Sequence, residues 1–395
     1  MLPERRHFLK TLATTWVASS LWGRALRAAA TVTLPFENGI RDLVQYPGKR
    51  KLIRLTSRPP QLETPFQNFN EGLVTPNDAF FVRYHLSGLP TEIDVQKFRL
   101  EVRGKVQNPL SLTLAALKSQ FKSFEICAVN QCSGNGRGFS NPRVGGGQLA
   151  NGAMGNAVWK GVRLADVLKK AGLDSKATHV SFDGLDRPLM PATPDFVKAL
   201  TVEHANRPEV LLAYQMNGQD LPYLNGFPLR LVVPGYFGTY WVKHLNQIEV
   251  LDHEFDGFWM KTAYRIPEAP GSERTKPIGK MVIRSFLTSH LDQAEISVEK
   301  KTRLRGIAFD GGTGIREVRI STDQGKSWTK TSLGKDLGPF SFREWTCETT
   351  FSEKGEKEIW VRAESMASEI QPLETVFNKS GYQRNGVEKT KVKIV

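Results

Sequence analysis

The sequence predicts an α+β protein of two domains, in which a mixed α/β domain precedes a β-sandwich. The chain has 395 residues, which is enough for two domains of ordinary size. Up to about residue 280, strand-like segments are interspersed with two short helical segments. From about residue 281 onward, short alternating strands follow one another between Gly and Asp turns, a pattern typical of a β-sandwich. We therefore predict a first domain over residues 31–280 and a second over residues 281–395.

The first 30 residues are predicted to be an export signal. Paired arginines stand in the run Glu4-Arg5-Arg6-His7-Phe8-Leu9-Lys10, and a weakly apolar stretch over residues 11–22 leads to small residues at 28–30. This arrangement is typical of the twin-arginine route, which exports folded proteins and suits a cargo that already carries a cofactor. A basic amphipathic first helix is the alternative. Because the apolar stretch is too short to span a membrane, we expect a periplasmic protein with no membrane insertion.

The net charge restricts the classes of binding partner, and the number of cysteines restricts the possible disulfide bonds. Lys plus Arg number 54 against 40 for Asp plus Glu, a net charge of +14, of which +4 belongs to the first 28 residues. A basic protein can bind nucleic acid, anionic membranes or small anions, and export removes it from nucleic acid. The three cysteines, Cys127, Cys132 and Cys347, leave at least one thiol unpaired, which excludes a disulfide framework.

The first domain opens with residues 31–75, which are rich in proline and polar residues and are predicted to form an irregular arm. A short strand over residues 80–84 follows. It brings Arg83 and His85 to one face, because side chains two apart along a strand point the same way. Such a pair predicts an anion pocket, with an exposed strand face as the alternative.

Regular elements follow on both sides of a glycine-rich region. Two helices are predicted over residues 115–120 and 164–171, the second capped by Gly172. First-domain strands are predicted over residues 98–106, 180–182 and 210–216. Second-domain strands are predicted over residues 302–309, 315–321, 341–349 and 358–364. No chemistry is visible in the second domain, which we interpret as an interface or packing domain.

The candidate chemistry begins where an apolar run, Phe124-Glu-Ile-Cys127-Ala-Val-Asn-Gln, ends at Cys132. Three glycines follow, with Arg137 among them. Glycines allow positive φ and close backbone approach, and successive N–H groups in such a loop can hold an anion. Nearby positive charge lowers a thiol pKa, and the thiolate is the metal ligand. The pattern predicts a metal-binding thiol beside an anion site, and a buried cysteine before an ordinary turn remains the alternative. Cys127, within the apolar run, is a candidate for plain packing.

A second basic region stands further along the chain. Arg230 lies in an apolar strand entering a turn, and Lys243 follows an aromatic segment. Together they can hold a phosphate or another acidic group, or they are surface charges flanking a strand. Motifs for covalent haem, iron–sulfur clusters, dinucleotides, P-loop phosphates, serine hydrolases and zinc peptidases are missing from the sequence. We therefore expect no haem in this chain.

Long ordered motifs give the sequence a family resemblance. Phe80-Phe-Val-Arg-Tyr-His85, Cys132-Ser-Gly-Asn-Gly-Arg137 and Phe227-Pro-Leu-Arg-Leu-Val-Val-Pro-Gly235 resemble the sulfite oxidase family of molybdenum enzymes. The similarity continues into the second domain through Ile320-Ser-Thr-Asp-Gln-Gly-Lys-Ser-Trp328 and covers nearly the whole mature chain. With the export signal and no haem motif, it is most similar to the molybdenum subunits of bacterial sulfite:cytochrome c oxidoreductases.

The resemblance implies a molybdopterin-binding domain of the sulfite oxidase fold followed by an immunoglobulin-like β-sandwich. It implies that Cys132 is the thiolate ligand to molybdenum. It implies a sulfite pocket formed by Arg83, Arg137 and Tyr264. The residues implied to hold the pterin and its phosphate are His85, Asp183, Arg230, Val242 and Lys243. Two positions depart from the family: Asn225 stands where animal members carry histidine, and Gly136 replaces the first of two arginines.

The implied reaction is oxidation of sulfite to sulfate, with water as the oxygen source and one molybdenum–molybdopterin per chain. Two electrons would pass to a c-type cytochrome, for which a dedicated haem c subunit is the expected form. A sulfane dehydrogenase acting on carrier-bound sulfur is an alternative, because the same pocket can serve it. A methionine-sulfoxide reductase would normally lack the β-sandwich. A non-catalytic periplasmic interaction protein is the alternative from another class.

Overall fold

The computed structural model describes residues 31–33 and 39–395, so the predicted export signal over residues 1–30 lies outside the described residues. The described chain is mostly β, with few and short helices, so the predicted α+β class fits it only loosely. The α-helices are α1 Leu114–Gln120, α2 Leu164–Ala171, α3 Val202–Ala205 and α4 Phe258–Lys261. Single 3₁₀ turns occur at Phe66–Asn70, Arg137–Phe139, Tyr223–Asn225 and Gly238–Tyr240.

The strands fall into two groups along the chain. The strands of the first part are β1 Thr31–Thr33, β2 Ile40–Gln45, β3 Lys51–Ser57, β4 Pro60–Glu63, β5 Val82–Arg83, β6 Leu100–Gly104, β7 Leu110–Leu112, β8 Ser123–Gln131, β9 Met154–Arg163, β10 His179–Gly184, β11 Lys198–Thr201, β12 Leu211–Met216, β13 Gln219–Asp220, β14 Arg230–Val232, β15 Leu245–Leu251, β16 Arg265–Pro267 and β17 Thr275–Pro277. The strands of the second part are β18 Arg284–Leu287, β19 Ala294–Ile296, β20 Thr302–Phe309, β21 Ile315–Ser321, β22 Thr329–Lys330, β23 Ser332–Leu333, β24 Arg343–Thr349, β25 Gly355–Ser365 and β26 Glu388–Ile394.

The prediction of an irregular arm over residues 31–75 is wrong. Strands β1 to β5 form an antiparallel sheet in sequence order. Leu52, Leu62, Val82 and Tyr84 bury a small apolar cluster of their own. These strands are short and only partly alternating, so their stability rests on backbone pairing and on that cluster, which a search for periodicity does not detect.

Two further sheets build the body of the first part. One has the order β11-β10-β15-β6-β7, and the other has the order β13-β12-β9-β8 with β14 paired to β12. Helix α2 has the predicted bounds, and it buries Leu164, Val167 and Leu168 on one face. Gly172 ends it at φ 69°, where its N–H donates to the Leu168 carbonyl, as the predicted cap requires.

The second part consists of two sheets, β18-β20-β24-β23 and β19-β26-β25-β21-β22. Side chains from both sheets share one buried cluster, which includes Leu304, Trp345 and Val361, so the two sheets pack face to face as a β-sandwich. Strands β20 and β21 have the predicted bounds. The division into domains at residues 280 and 281 remains a prediction.

The sandwich packs against the strand that leads to Cys132. The Val129 N–H in β8 donates to the Phe340 carbonyl at 2.9 Å, and Asn156 Nδ2 in β9 donates to Ser341 Oγ at 2.9 Å. Phe342 belongs to the same apolar core as the first part. Within the part of the chain that the structure describes, no helix has the length and apolar character needed to cross a membrane.

Candidate active site

Most of the predicted site residues meet at one cavity, although they come from distant parts of the chain. The free space of this cavity, counted out to its mouth, is about 490 Å³. The predicted residues on its wall are Arg83, His85, Cys132, Arg230, Lys243 and Tyr264.

Cys132 is presented to the cavity by a loop that backbone hydrogen bonds hold in place. The Cys132 N–H donates to the Ala153 carbonyl at 2.9 Å, and the Gly136 N–H donates to the Ala150 carbonyl at 2.8 Å. Gly136 has φ 82°, and a Cβ there would lie 2.8 Å from Cδ of Arg384. The glycine is thus required both by the backbone and by the neighbouring arginine. The result is a buried thiol at a fixed position on the cavity wall.

Cys127 has a different environment, as its place in the apolar run suggested. It is half-buried in β8, and its Sγ lies 3.4 Å from Ser341 Oγ and 3.6 Å from Asn156 Oδ1. Burial raises the pKa of this thiol, which keeps it protonated and unreactive. Cys127 therefore belongs to the contact between β8 and the second part of the chain.

The cavity wall carries positive charge and, among its described residues, no carboxylate. Arg230 is 4% exposed, and its Nη1 donates to the Asn225 carbonyl at 3.1 Å. The Lys243 ammonium donates to the Arg83 carbonyl at 2.8 Å. Burial, and next the charge of Arg230, lower the pKa of Lys243 to about 7. The cations repel one another in this space, so an anion bound between them would be stabilised.

Several buried polar atoms on the wall have no hydrogen-bond partner within the described chain. Buried polar groups are nearly always satisfied, so such a group of atoms indicates a polar ligand. The atoms are Arg83 Nε, Arg230 Nε, Asn130 Oδ1 and Nδ2, Ser133 Oγ and Thr239 Oγ1. They fit the amide, hydroxyl and phosphate groups of a pterin phosphate.

The cavity wall also fits a metal that receives most of its ligands from a bound cofactor and only one from the protein. No group of three His, Cys, Asp or Glu side chains that could hold a metal occurs in residues 39–395 as described. Cys132 is the thiol on the wall, and a soft metal bound to it needs further donors from the bound group. A dithiolene pterin provides such donors.

Tyr264 and His85 form another part of the cavity wall. The Tyr264 hydroxyl and His85 Nε2 are hydrogen-bonded. His85 also stacks on Phe196, with ring centroids 3.7 Å apart and planes 10° apart. Burial holds the pKa of His85 well below its usual value, and burial raises the pKa of Tyr264. The imidazole is therefore neutral and the phenol keeps its proton near neutral pH. The structure thus places His85 against Tyr264.

Three predicted residues are not among those that line the cavity. Arg137 lies over the ring of Tyr382, which stacks on Tyr264, and it donates from Nε to the Ser380 carbonyl at 2.9 Å. Asp183 lies 3.5 Å from Arg187, and burial raises the pKa of Asp183 to about 6. Val242 is 2% exposed and packs in the core. Their predicted roles remain predictions.

Sequence reasoning missed several residues at or beside the cavity. Asn130 and Ser133 flank Cys132, and Thr239 lies in the aromatic segment before Lys243, so a closer inspection of both motifs would have found them. Lys198 and Tyr382 carry no local signal, because their positions depend on contacts with distant elements.

Lys198 is a buried cation that pairs with no described carboxylate. Its Nζ donates to the Trp259 carbonyl at 2.7 Å and lies 5.2 Å from the centroid of the Tyr264 ring. Burial lowers its pKa to about 7, whereas an unfolded lysine titrates near 10.4. Between those pH values the unfolded chain binds a proton that the folded chain has lost, so stability rises with pH across this window.

We therefore expect Lys198→Met to remove that pH dependence. The difference in melting temperature, variant minus parent, should be most favourable to the variant below pH 7 and should decrease as the pH rises towards 10. Thermal unfolding at pH 6, 8 and 10 measures it, with the exposed Lys97 replaced in Lys97→Met as the control. A difference that stays constant with pH would contradict the titration of Lys198 in this range.

Comparison with known proteins identifies the class first. The profile of the oxidoreductase molybdopterin binding domain matches residues 86–259. The profile of the Mo-co oxidoreductase dimerisation domain matches residues 275–394. The chain is thus a molybdopterin oxidoreductase, in agreement with the thiol, the cations and the unpaired polar atoms of the cavity.

Whole-chain similarity then gives the family. A sulfite oxidase of Arabidopsis thaliana is 32% identical over 381 residues, covering 88% of this chain and 95% of the relative. The mitochondrial sulfite oxidase of Drosophila melanogaster is 32% identical over 89% of this chain, which spans 65% of the fly protein. The sulfane dehydrogenase SoxCD from Paracoccus pantotrophus matches with a TM-score of 0.75 and 25% identity, covering 93% of this chain and 89% of that chain. This protein belongs to the sulfite oxidase family.

Proposed function

We propose that this chain is the molybdenum subunit of a sulfite dehydrogenase, which oxidises sulfite to sulfate with water as the oxygen source. The observation that carries the proposal is a cavity with one thiol and three cations and no carboxylate among its described lining residues. Sulfite is a small oxyanion, and positive charge in an enclosed space favours its binding. The similarity to sulfite oxidases of plants and animals supports the same substrate.

In this proposal Cys132 is the thiolate ligand to molybdenum, with one molybdenum–molybdopterin per chain. Arg230 and Lys243 hold the phosphate of the pterin, and the buried polar atoms of the wall hydrogen-bond to its rings. His85, Asp183 and Val242 keep their proposed place around the pterin. When bound, the molybdenum cofactor supplies the oxygen-atom transfer and accepts the two electrons of the oxidation.

The protein's own contribution is to bind and orient sulfite. An arginine about 4 Å from a unit negative charge contributes roughly 4 kcal/mol at an effective dielectric near 20. Arg83 on the wall and Arg137 behind it present planar donors suited to an oxyanion. In this proposal neutral His85 donates from Nε2–H to the Tyr264 oxygen, which leaves the single Tyr264 hydroxyl proton for a hydrogen bond to the substrate that adds no charge.

The location and the electron acceptor form part of the proposal. The paired arginines at the start of the sequence support export of the folded protein to the periplasm. The two electrons then pass to a c-type cytochrome, in the form of a dedicated haem c subunit. We also propose that the β-sandwich is of immunoglobulin-like type and begins at residue 281, three residues before β18, the first strand of its two mostly antiparallel sheets.

A sulfane dehydrogenase is the second candidate. The specific observation in its favour is the similarity to SoxCD over 93% of this chain. In that case the same cavity would accept the terminal sulfur of a carrier-bound persulfide in place of sulfite.

The deciding experiment uses the full chain, produced in a host that makes the molybdenum cofactor. Molybdenum per chain is measured first, and reduction of ferricyanide and of cytochrome c is then followed with sulfite or with a peptide carrying a cysteine persulfide. A molybdenum ratio near one with efficient turnover of sulfite supports the proposal. Turnover of the persulfide alone would favour the second candidate. Protein without molybdenum would favour a non-catalytic interaction role, and loaded protein inactive on both would overturn both enzyme assignments.

A further inference from the structure

A loop of the second part of the chain reaches the side of the cavity that holds Tyr264. This loop, residues 378–384, precedes β26. Asn378 ties it together, because its Nδ2 donates to the Tyr382 carbonyl at 2.7 Å and its Oδ1 accepts from the Tyr382 N–H at 3.1 Å. Tyr382 is therefore fixed relative to the backbone of its own loop.

Arg137 is enclosed by this loop and by the glycine-rich region. Its Nε donates to the Ser380 carbonyl at 2.9 Å, and its Nη1 donates to the Gly147 carbonyl at 3.3 Å. A Cβ at Gly134 would lie 2.8 Å from Nη1 of Arg137, and a Cβ at Gly146 would lie 2.9 Å from the same atom. The guanidinium consequently has little freedom to move.

Gly381 shows how closely the loop approaches. It has φ 60°, and a Cβ at this position would lie 2.9 Å from Cγ of Arg137 and 2.6 Å from Cγ2 of Val144. Only a residue without a side chain allows the loop to pack this closely on the arginine. The contact between loop and arginine is thus part of how the chain folds.

Tyr382 connects the two proposed substrate residues. Its ring stacks on the Tyr264 ring, with centroids 5.5 Å apart and planes 13° apart. The centre of the Arg137 guanidinium lies over the Tyr382 ring, 4.9 Å from its centroid, which is a cation–π contact. One side chain therefore contacts both the Arg137 guanidinium and the Tyr264 ring, which the proposed function assigns to substrate binding.

We propose that Tyr382 is a positioning residue, which holds Arg137 and Tyr264 in the arrangement that binds the substrate oxyanion. The inference rests on the proposed function for the identity of that oxyanion. The substrate half of the site is then shared, since the first part of the chain supplies the arginine and the second part supplies the residue that orients it. Binding of the oxyanion should be affected more than the rate of the chemical step, because Tyr382 acts through groups that contact substrate.

Two variants of the holoenzyme separate the contacts that Tyr382 makes. Tyr382→Ala removes the ring and the hydroxyl, and we expect the KM for sulfite to rise about tenfold or more while kcat changes by less than about threefold. Tyr382→Phe keeps the ring that stacks on Tyr264 and lies beneath the Arg137 guanidinium, so its KM should stay within about twofold of the parent and the variant should restore most of what Tyr382→Ala loses. Phe377→Ala is the matched control, because Phe377 is an aromatic residue that is 50% exposed and lies just before the loop, whereas the ring contacts with Tyr264 and Arg137 are made by Tyr382.

Equilibrium binding of sulfate gives a readout that requires no turnover. In the Tyr382 variants the dissociation constant for sulfate, measured by quenching of tryptophan fluorescence in the molybdenum-loaded protein, should rise by the same factors as KM. Molybdenum content and melting temperature should stay near those of the parent. If Tyr382→Ala does not fold, Tyr382→Leu and Tyr382→Phe decide the question.

The outcomes distinguish this inference from the proposed function. A parent enzyme that does not oxidise sulfite overturns the function, while the sulfate affinities of the variants still test Tyr382. Values of KM and sulfate affinity within about twofold of the parent in all Tyr382 variants would overturn the positioning role. A loss of kcat accompanied by lost molybdenum would also overturn it, because that result indicates a structural contribution to the cofactor site.

Discussion

A Cys132→Ser variant is expected to lose sulfite oxidation by about three orders of magnitude or more, equivalent to at least about 4 kcal/mol, while the protein remains folded. The thiol is buried at the cavity wall at a position that backbone hydrogen bonds fix. A serine hydroxyl is a harder and far less acidic donor than a thiol, so it does not replace a thiolate at a soft metal. Turnover with sulfite and ferricyanide, together with the molybdenum content, measures the effect.

Cys127→Ala is the matched control for that substitution. Cys127 is a half-buried thiol whose Sγ contacts Ser341 Oγ and Asn156 Oδ1. Its loss should cost about 1 kcal/mol of the free energy of unfolding and leave kcat/KM within about twofold of the parent. Near-normal turnover in Cys132→Ser would exclude Cys132 as the ligand. A folded but inactive Cys127→Ala would show that the other thiol is the functional one.

Arg83→Gln and Arg137→Gln are each expected to lower kcat/KM for sulfite by about 30–1000-fold, which corresponds to about 2–4 kcal/mol. Most of the loss should be in KM, because a charge that attracts the oxyanion acts on the ground state and the transition state alike. Arg83 lines the cavity, and its Nε is buried without a partner in the described chain. Arg137 forms hydrogen bonds with Ser380 and Gly147, so its replacement should also lower the melting temperature.

Steady-state kinetics at low and high ionic strength separate the loss of a direct contact with sulfite from the loss of one positive charge on the protein as a whole. Arg103→Gln removes the same charge from an exposed ion pair with Glu249, away from the cavity wall. Arg103→Gln should lower kcat/KM for sulfite only slightly, and high salt should remove this small decrease. If both cavity variants behaved like Arg103→Gln, neither arginine would bind the substrate.

A large part of the candidate site could be predicted because it resides in short contiguous motifs. Arg83 and His85 were predicted to share a face of a strand over residues 80–84; the strand β5 is shorter, Val82–Arg83, and His85 follows it, but both side chains reach the cavity. The apolar strand that ends before Cys132 decides that the thiol is buried. In these cases the backbone conformation of a few adjacent residues is sufficient to orient the side chain.

Other features depended on contacts between elements far apart in the chain. The sheet β1 to β5 is stabilised by strand pairing, and its sequence shows little alternation. Arg137 contacts Ser380 and Tyr382, which follow it by more than 240 positions in the sequence. Contacts between residues so far apart in the sequence cannot be predicted from any short sequence pattern.

By itself the sequence determined which residues are chemically able to hold a metal and an anion, and it determined the strands and glycine turns that carry them. Only the tertiary structure decided which of these residues meet. It brings Lys243 to the carbonyl of Arg83, and it does not include Asp183 or Val242 among the side chains that line the cavity. The physical reason is that a side chain's direction follows from local backbone geometry, whereas its neighbours and its desolvation follow from the packing of the whole chain.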